Sequence, residues 1–307
     1  MTSNTKAWII TGPTSGIGYR TALELSHHGA VVLVGRSPER LDAVRDEVES
    51  AGGHATTVVA DLGDIASVRR AADEIAGLHL PLAGLLNNAG IFPGRPGTSA
   101  QGWDLAFATN HLGPFALTEA LVPVLPDRAH VVFIVSAVED PDRRIAVRAG
   151  FRGSRYISAQ ASAAGQWLSP GGSSFPGMDA YATSKQASLA TALAFSREYP
   201  RLRFSAIEPG VNPGSNLGRD MNIALRGLIK AIAPALQVLP HHTTPRKAAK
   251  VIARILTSGS GETGVYFDEN GAPMRGSAQV HDPAFQDRVV AETRALLATV
   301  PAIVSSR

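Results

Sequence analysis

Short apolar runs alternate along the chain with longer segments whose apolar residues recur at helical spacing. The short runs carry few polar residues, which is typical of strands that are buried on both faces of a parallel sheet. The predicted strands are Ala7–Thr11, Val31–Val34, Ala55–Ala60, Leu82–Leu86, His130–Val135, Arg203–Ile207 and Gly264–Phe267. The predicted helices are Gly16–His28, Trp103–Leu125, Ala180–Glu198 and Pro245–Thr257, with two more beginning at Ser37 and Asp64. This alternation predicts a doubly wound α/β fold.

Two stretches break the alternation. Residues 137–179 are rich in Gly, Ser and Ala and predict a long segment without regular structure, which in a compact domain is either functional or disordered. Asn222–Leu239 is mostly apolar and predicts a helix packed on the core, with a mobile substrate lid as the alternative. A membrane-surface helix is disfavoured there because Arg226 and Lys230 are its only charges. We predict one domain over residues 1–307, with an insertion at about 137–179 and a C-terminal extension from about 220.

The composition argues against several classes of function. A chain of 307 residues with a formal net charge of +3 and no long run of Lys or Arg is not expected to bind nucleic acid. The absence of cysteine excludes disulfides, thiolate chemistry and Cys-ligated metals, and we predict no metal site. The first predicted strand begins within about seven residues of Met1, and no run of about 20 apolar residues occurs. We therefore expect a cytoplasmic protein without stable membrane insertion.

A glycine-rich loop, Thr11-Gly12-Pro13-Thr14-Ser15-Gly16-Ile17-Gly18, follows the first predicted strand. Glycine lets the backbone approach a pyrophosphate, and the helix that follows directs free N–H groups and its positive dipole end at the anion. A glycine triplet alone is common in turns, but a strand before it and a helix after it predict a dinucleotide site in a Rossmann-type fold. The predicted cofactor contacts in this loop are Gly12, Thr14, Ser15, Gly16, Ile17 and Gly18.

The spacing T-G-x-x-x-G-x-G resembles the single-domain form of the short-chain dehydrogenase/reductase family. The sequence Asn87-Asn88-Ala89-Gly90 is similar to that family's N-N-A-G motif. The resemblance implies that Asn88, Ala89 and Gly90 lie against the cofactor, and that Asn88 also stabilises the sheet. Asp61, followed by Leu62, stands where the family binds adenine, although a helix-cap or turn role for Asp61 is equally open.

The sixth predicted strand is followed by Pro209-Gly210, which is similar to the family's turn on the nicotinamide side. Relatives usually carry a Thr four residues after this glycine, and that Thr binds the carboxamide. This chain has Gly214 there, so Ser215 or Asn212 would have to replace it.

The end of the second predicted strand indicates which dinucleotide is used. An NAD site usually has an acidic residue here for the ribose 2′-hydroxyl. This strand instead ends Gly35-Arg36-Ser37, where Arg36 can pair with a 2′-phosphate and Ser37 can add a donor. The alternative is that Arg36 is a solvated surface residue. We predict NADP(H) in preference to NAD(H).

Tyr181 and Lys185 are four residues apart and therefore lie on one face of a predicted helix. A nearby ammonium lowers the pKa of tyrosine, which suits an acid in carbonyl reduction and a base in alcohol oxidation. Ser136 ends the fifth predicted strand, where its hydroxyl can bind a substrate oxygen. In the family, the Asn at the position of Asn110 holds a water in a proton relay, and the Lys also binds the nicotinamide ribose. Taken singly, Ser136 could be a turn residue and Asn110 a core amide.

The insertion leaves the predicted sheet beside Ser136 and returns just before Tyr181, so it must pass close to the active site. Its aromatic residues could line an apolar pocket or could simply anchor the segment; they are Phe151, Tyr156, Trp167 and Phe175. Its arginines could meet an acidic group of the substrate or could be solvated; they are Arg143, Arg144, Arg148, Arg152 and Arg155.

A segment of this length, together with Gly-Arg-Ser after the second strand, resembles the retinol dehydrogenase, carbonyl reductase and protochlorophyllide reductase branches. These branches act on bulky apolar carbonyls or alcohols, and in some of them the insertion covers the oligomerisation face. We therefore predict a monomer or weak dimer that transfers a hydride between NADP(H) and a carbonyl or alcohol carbon of an apolar small molecule. The alternatives are a dehydratase or isomerase that uses the same tyrosine, and an NADPH-sensing binding protein.

Overall fold

A parallel β-sheet forms the centre of the computed structural model, which describes residues 6–167, 171–210, 243–259 and 261–301. Its strands are β1 (Ala7–Thr11), β2 (Ala30–Gly35), β3 (Ala55–Val59), β4 (Leu82–Asn87), β5 (His130–Ile134), β6 (Arg203–Ile207) and β7 (Val265–Phe267). Their order is β3-β2-β1-β4-β5-β6-β7, and every pair is parallel. The predicted doubly wound fold is confirmed.

Helices cover both faces of the sheet. Those within the described residues are α1 (Gly16–Ser26), α2 (Pro38–Ser50), α3 (Ile65–Gly77), α4 (Leu105–Phe107), α5 (Gly113–Leu121), α6 (Arg144–Arg148), α7 (Ala159–Ala163), α8 (Pro176–Glu198), α9 (Pro245–Thr257) and α10 (Pro283–Leu297). One core layer lies between the sheet and α1, α2 and α9, and the other lies under α3, α5, α8 and α10. The strand order reverses between β1 and β4, which opens a crevice at the carboxyl ends of the strands.

Several helices have a side chain that accepts one of the free backbone N–H groups of their first turn. Ser37, Asp64, Thr244 and Asp282 each accept a backbone N–H at the start of α2, α3, α9 and α10. The helix α1 differs, because Ser15 makes no side-chain cap and the first turn holds no acidic residue. The backbone N–H groups at the start of α1 therefore lack the side-chain acceptor that those four helices have.

The long helix predicted over Trp103–Leu125 is interrupted. A π-helical turn, Ala108–Leu112, joins α4 to α5, and a 3-10 turn, Val122–Val124, ends the segment. The wider turn contains Asn110, and the hydroxyl of Ser188 on α8 donates to its carbonyl oxygen at 3.0 Å. Such turns are frequent at functional sites.

The insertion is not structureless, and that prediction is wrong. It begins with a 3-10 turn (Ala137–Glu139), contains α6 and α7, and ends where α8 begins at Pro176, four residues earlier than predicted. The hydroxyl of Ser158 caps α7, and Glu292 of α10 accepts both the Tyr156 hydroxyl (2.7 Å) and the Ala159 N–H (3.0 Å). Bonds to the C-terminal helix thus order a segment whose own composition is loop-like.

The C-terminal helix α10 joins the insertion to the main body of the fold. It packs on α7 and α8, and Arg294 pairs with Glu119 of α5 and with Glu198 of α8, both at 2.6 Å. No helix in the described parts of the chain combines the length and apolarity that crossing a membrane requires. The predicted helix Asn222–Leu239 lies outside the described residues.

Candidate active site

A cleft of about 890 Å³ runs along the carboxyl ends of the strands, above the point where the strand order reverses. It contains all the predicted site residues except Asn110: Gly12, Thr14, Ser15, Gly16, Ile17, Gly18, Arg36, Ser37, Asp61, Leu62, Asn88, Ala89, Gly90, Ser136, Tyr181, Lys185, Pro209 and Gly210. Its size is suited to a cofactor and a small molecule together. Residues far apart in the chain therefore meet in one elongated site.

The glycine loop forms a tight cradle at one side of this cleft. Gly12 and Gly16 have φ values of 67° and 59°, in the left-handed region that favours glycine. A Cβ atom at Gly18 would lie 2.3 Å from both the Gly12 carbonyl oxygen and the Asn88 Nδ2. The uncapped N-terminus of α1 begins in this loop, so its N–H groups are available to an anion. These features fit the pyrophosphate of a dinucleotide.

Thr11 and Asn88 hold the cradle against the central strands. The Thr11 hydroxyl accepts the N–H groups of Asn88 and Ala89, each at 3.0 Å, and donates to the Leu86 carbonyl at 3.3 Å. The Asn88 amide donates to the carbonyls of Thr11 (2.9 Å) and Gly12 (3.2 Å). Asn88 therefore joins β1 to the end of β4, and Thr11 is a supporting residue that the sequence analysis did not single out.

Two guanidinium groups lie at the far end of the cleft, after β2. Arg36 and Arg40 both line the cleft and are both exposed. The Ser37 hydroxyl accepts the Arg40 N–H at 3.4 Å and donates to Glu39 Oε2 at 2.8 Å, so it serves mainly as the cap of α2. Arg40 was not predicted; its only sequence signal is its place in the first turn of the helix that follows Arg36.

Asp61 makes a turn contact, which is one of the roles that its sequence position left open. Its carboxylate accepts the Gly63 N–H at 2.9 Å, which is a turn contact, and the residue also lines the cleft beside Leu62. The cap of α3 is Asp64, whose carboxylate accepts the Ala66 N–H.

Ser136, Tyr181 and Lys185 converge at the other end of the cleft. Tyr181 and Lys185 are 8% and 3% exposed, and the Lys185 ammonium lies 5.5 Å from the centroid of the Tyr181 ring. Ser136 lines the cleft together with Tyr181 and Lys185, and the Lys185 ammonium donates to the Ile134 carbonyl at 2.8 Å. The serine after β5 and the helix pair on α8 thus form one cluster.

The protonation of this cluster differs from the prediction. Burial raises the pKa of Tyr181 well above its ordinary value, the nearby Glu208 carboxylate raises it further, and the Ser136 hydroxyl lowers it. Burial also lowers the pKa of Lys185 to about 8, against a smaller raising effect of Glu208. The expectation that Lys185 would bring the pKa of Tyr181 below its ordinary value is therefore wrong, because desolvation of the phenolate dominates.

Asn110 lies behind the cleft rather than in its lining. Its side-chain amide accepts the Ile91 N–H at 2.8 Å and donates to the Ile91 carbonyl at 2.9 Å and to the Ser184 hydroxyl at 3.0 Å. A Cβ atom at Gly90 would lie 3.2 Å from Asn110 Oδ1 and 3.5 Å from Lys185 Nζ. Asn110 is thus a satisfied core amide that supports the backbone next to Gly90 and lies close to Lys185.

Glu208, immediately before Pro209-Gly210, is a site residue that sequence reasoning missed. It lines the cleft beside Ser136, is 8% exposed and accepts the Ala137 N–H. An acidic residue at the carboxyl end of a parallel strand is a signal that could have indicated it. The positions of Gly214, Asn212 and Ser215 lie outside the described residues.

The insertion forms one wall of the cleft through Arg143, Ile145, Ala146, Ala149 and Phe151. Of its predicted aromatics, only Phe151 lines the cleft. Phe92 packs edge-on against Phe151 and Phe175, at centroid distances of 6.1 and 5.8 Å, and against the ring of Tyr181 at 5.2 Å.

The remaining aromatic and basic residues of the insertion have other surroundings. Tyr156 packs against Phe285 of α10 and so anchors the segment, and Trp167 is not part of the lining. Arg152 donates to the Val147 and Phe151 carbonyls, and Arg155 donates to the Gly171 carbonyl. Arg144 and Arg148 are exposed, so Arg143 is the insertion arginine that faces the cleft. Across the described ranges, no three His, Asp or Glu side chains are grouped as a metal site would need.

Comparisons with known proteins agree with this arrangement. The family model for short chain dehydrogenases matches residues 6–145. A short-chain dehydrogenase/reductase from Armillaria gallica is 32% identical over 220 residues, which cover 68% of this chain and 65% of that protein, less than two thirds of its length. The chloroplastic protochlorophyllide reductase of Pisum sativum is 27% identical over 283 residues, covering 86% of this chain and 70% of that protein.

A solved structure shows the same fold. It is a short chain dehydrogenase from Burkholderia cenocepacia in complex with NADP, with a TM-score of 0.64 and 22% identity, and the match covers 88% of this chain and 97% of that one. The fold is a doubly wound, Rossmann-type α/β fold with a cleft at the carboxyl ends of its strands. The chain belongs to the short-chain dehydrogenase/reductase family.

Proposed function

We propose that this protein is an NADP(H)-dependent oxidoreductase that interconverts a carbonyl group and an alcohol on an apolar small molecule. The observation that carries the proposal is the convergence of Ser136, Tyr181 and Lys185 at one end of a cleft whose other end holds a glycine cradle. When bound, the nicotinamide supplies or accepts the hydride. The protein then has to bind the substrate oxygen and move one proton.

The proposed proton donor is Tyr181. Its raised pKa keeps the phenol protonated at neutral pH, so in reduction it can give its proton to the oxygen of the developing alkoxide. The pKa of Lys185, about 8, leaves most of these ammonium groups charged at pH 7, where they stabilise the tyrosinate that forms. The Ser136 hydroxyl orients the substrate oxygen, and Asn110 fixes the backbone beside Gly90.

The residues that would hold the cofactor extend along the cleft. The glycine loop and the N-terminus of α1 suit the pyrophosphate, Asp61 and Leu62 the adenine side, and Pro209-Gly210 with Asn88–Gly90 the nicotinamide side. We propose NADP(H) rather than NAD(H), because two guanidinium groups, Arg36 and Arg40, line the end where the ribose phosphate would lie. The NADP in the Burkholderia cenocepacia structure is consistent with this preference.

The substrate is proposed to be bulky and apolar, because Phe92, Ile145 and Phe151 line the cleft together with Tyr181 and Lys185. The pea relative is by name a reductase of protochlorophyllide, which supports a large ring system as substrate. Arg143 on the same wall would pair with an acidic group if the substrate carries one.

The experiment is a screen for NADPH oxidation against apolar ketones, aldehydes and enones, with wild type and Tyr181→Phe compared. We expect turnover by the wild type and a loss of at least about 100-fold in Tyr181→Phe, because general acid catalysis contributes on the order of 10²–10⁴-fold. The cofactor Kd should change little, and Tyr156→Phe, which removes a hydroxyl that bonds Glu292, serves as the matched control.

The screen also separates the alternatives. Turnover without consumption of NADPH would indicate a dehydratase or isomerase. NADPH binding without any turnover would indicate a sensor. Equal activity in Tyr181→Phe and wild type would refute the proposed role of the tyrosine.

We also propose a single domain that is monomeric or weakly dimeric and cytoplasmic. The support for a low oligomeric state is that α10 packs on α8 and bonds to α5 and to the insertion, so it covers helix surface that a partner would need. Light scattering at micromolar concentration should give the mass of one chain, and a stable tetramer would refute the idea.

A further inference from the structure

Glu208 has a position that the proposed chemistry does not yet explain. Residues Ile134 and Ile207 are paired in the β5–β6 register, so the residues that follow them leave the sheet side by side. The carboxyl group of Glu208 thereby lies next to the turn that begins at Ser136. Burying a carboxyl group at this end of the sheet costs free energy of folding unless its oxygens are hydrogen-bonded or paired with a charge.

One hydrogen bond and a shared cleft lining connect Glu208 to that turn. Its carboxylate accepts the N–H of Ala137, the first residue of the 3-10 turn after Ser136. Glu208, Ser136 and Tyr181 line the same cleft, and the Ser136 hydroxyl lowers the pKa of both Glu208 and Tyr181. Glu208 therefore holds the backbone next to Ser136 and shares that serine's influence with the phenol.

The charged and titratable groups around Glu208 come from four elements. They are Arg143 of the insertion, Tyr181 and Lys185 of α8, Tyr266 of β7, and Glu269 beyond β7. Arg143 favours the ionised carboxylate, whereas burial and Glu269 favour the neutral acid, and burial is the strongest influence on the pKa of Glu208. An ionised Glu208 in turn disfavours tyrosinate at Tyr181.

We propose that Glu208 is a positioning residue of this active site, which orients the Ser136 hydroxyl and sets through its charge how readily Tyr181 releases a proton. The proposal rests on the proposed function only for its kinetic readout. Loss of the Glu208 proton makes tyrosinate harder to form, so it slows proton donation in reduction and shifts alcohol oxidation to higher pH.

The first experiment needs no substrate. Infrared titration follows the carbonyl stretch of protonated carboxyl groups. The signals of Glu208 and Glu139, two of the three buried glutamates in the described residues, are identified with Glu208→Gln and Glu139→Gln. Each of these two glutamates has a different neighbouring serine. Ser136 is the neighbour of Glu208, and the Ser277 hydroxyl donates to Glu139 at 2.7 Å. We expect Ser136→Ala to move the Glu208 titration to higher pH, because the Ser136 hydroxyl lowers the pKa of Glu208. Ser277→Ala should move only the Glu139 titration. An unchanged Glu208 titration in Ser136→Ala would overturn the coupling.

The second experiment separates charge from orientation in turnover, with acetophenone and 1-phenylethanol as probes. Glu208→Gln keeps an oxygen acceptor but never ionises, so the pH midpoint of 1-phenylethanol oxidation should fall by about one unit. The kcat of Glu208→Gln for acetophenone should no longer vary with pH through the titration of Glu208, and its KM should change little. Glu208→Ala should lower kcat at every pH by at least about tenfold, because the serine is no longer held.

The outcomes distinguish this inference from the proposed function. If Glu208→Gln has the wild-type pH profile, Glu208 is a structural anchor and the inference is wrong. If neither probe is turned over by the wild type, the proposed function is in doubt for such substrates. The infrared titration then still decides whether Glu208 is coupled to Ser136.

Discussion

Gly18 offers a sharp test of the cradle, because an added methyl group there has no space. A Cβ atom on Gly18 would lie 2.3 Å from both the Gly12 carbonyl oxygen and the Asn88 amide nitrogen. The carbonyl belongs to the backbone of the loop, and the amide also bonds the Thr11 carbonyl at 2.9 Å. Gly18→Ala must therefore displace the loop, break the Asn88 contacts, or do both.

The magnitude follows from these contacts. Overpacking of a tight site costs roughly 1–3 kcal/mol. Each Asn88 hydrogen bond that is lost adds about 0.5–1.5 kcal/mol, while alanine gains up to about 1 kcal/mol over glycine within a helix. We expect Gly18→Ala to lower the free energy of unfolding by about 2–3 kcal/mol and to weaken NADPH binding at least about tenfold.

Two other glycines provide controls. Gly77 ends α3 with no atom within 4 Å of an added Cβ, so Gly77→Ala should be neutral or slightly stabilising. Gly16 also has open space but a φ of 59°, so Gly16→Ala should lose about 1–2 kcal/mol through backbone strain alone. Urea denaturation and NADPH titration of the three variants decide the matter. If Gly18→Ala and Gly77→Ala agreed within about 0.5 kcal/mol and bound NADPH equally, the packing argument for the cradle would fail.

Two further predictions concern charge. Arg36→Ala should weaken NADPH binding by about 10-fold or more and NADH binding by less than about 2-fold, since a hydrogen bond to a charged group is worth about 1.5–3 kcal/mol; equal losses in the two titrations would refute the phosphate contact. Glu139 has its pKa raised by burial, so its contribution to stability is fully present below its ordinary pKa and is lost as pH rises through the folded-state value. Glu139→Gln cannot ionise, so its free energy of unfolding should rise relative to wild type between pH 5 and 8 in urea titrations, and parallel curves would contradict the burial argument.

The parts of this protein that were predictable from sequence are those governed by local rules. The strands were predictable because buried parallel strands are apolar along their whole length. Tyr181 and Lys185 were predictable as a pair because helical geometry places residues four apart on one face. The Gly12–Gly18 loop was predictable because only glycine tolerates the conformations and contacts found there.

The remaining features depend on tertiary contacts that leave little local trace. Helices α6 and α7 have five residues each, too short to be stable alone, and Glu292 from the far end of the chain holds the segment near α7. Glu208 became part of the site only through the pairing of β5 with β6. The direction of the Tyr181 pKa shift was missed because it depends on burial, which the four-residue spacing does not reveal.

The π-helical turn at Ala108–Leu112 has a consequence for how this protein can evolve. Such a turn holds one residue more than a regular helical turn, so deleting a residue there would give a more uniform helix. The same deletion would rotate Asn110 by about 100° and break its paired contacts with Ile91. A uniform helix here would therefore lose hydrogen bonds next to the active site, so a regular backbone and the support from Asn110 exclude each other. A relative with one residue fewer in this turn is expected to lack that support beside Gly90.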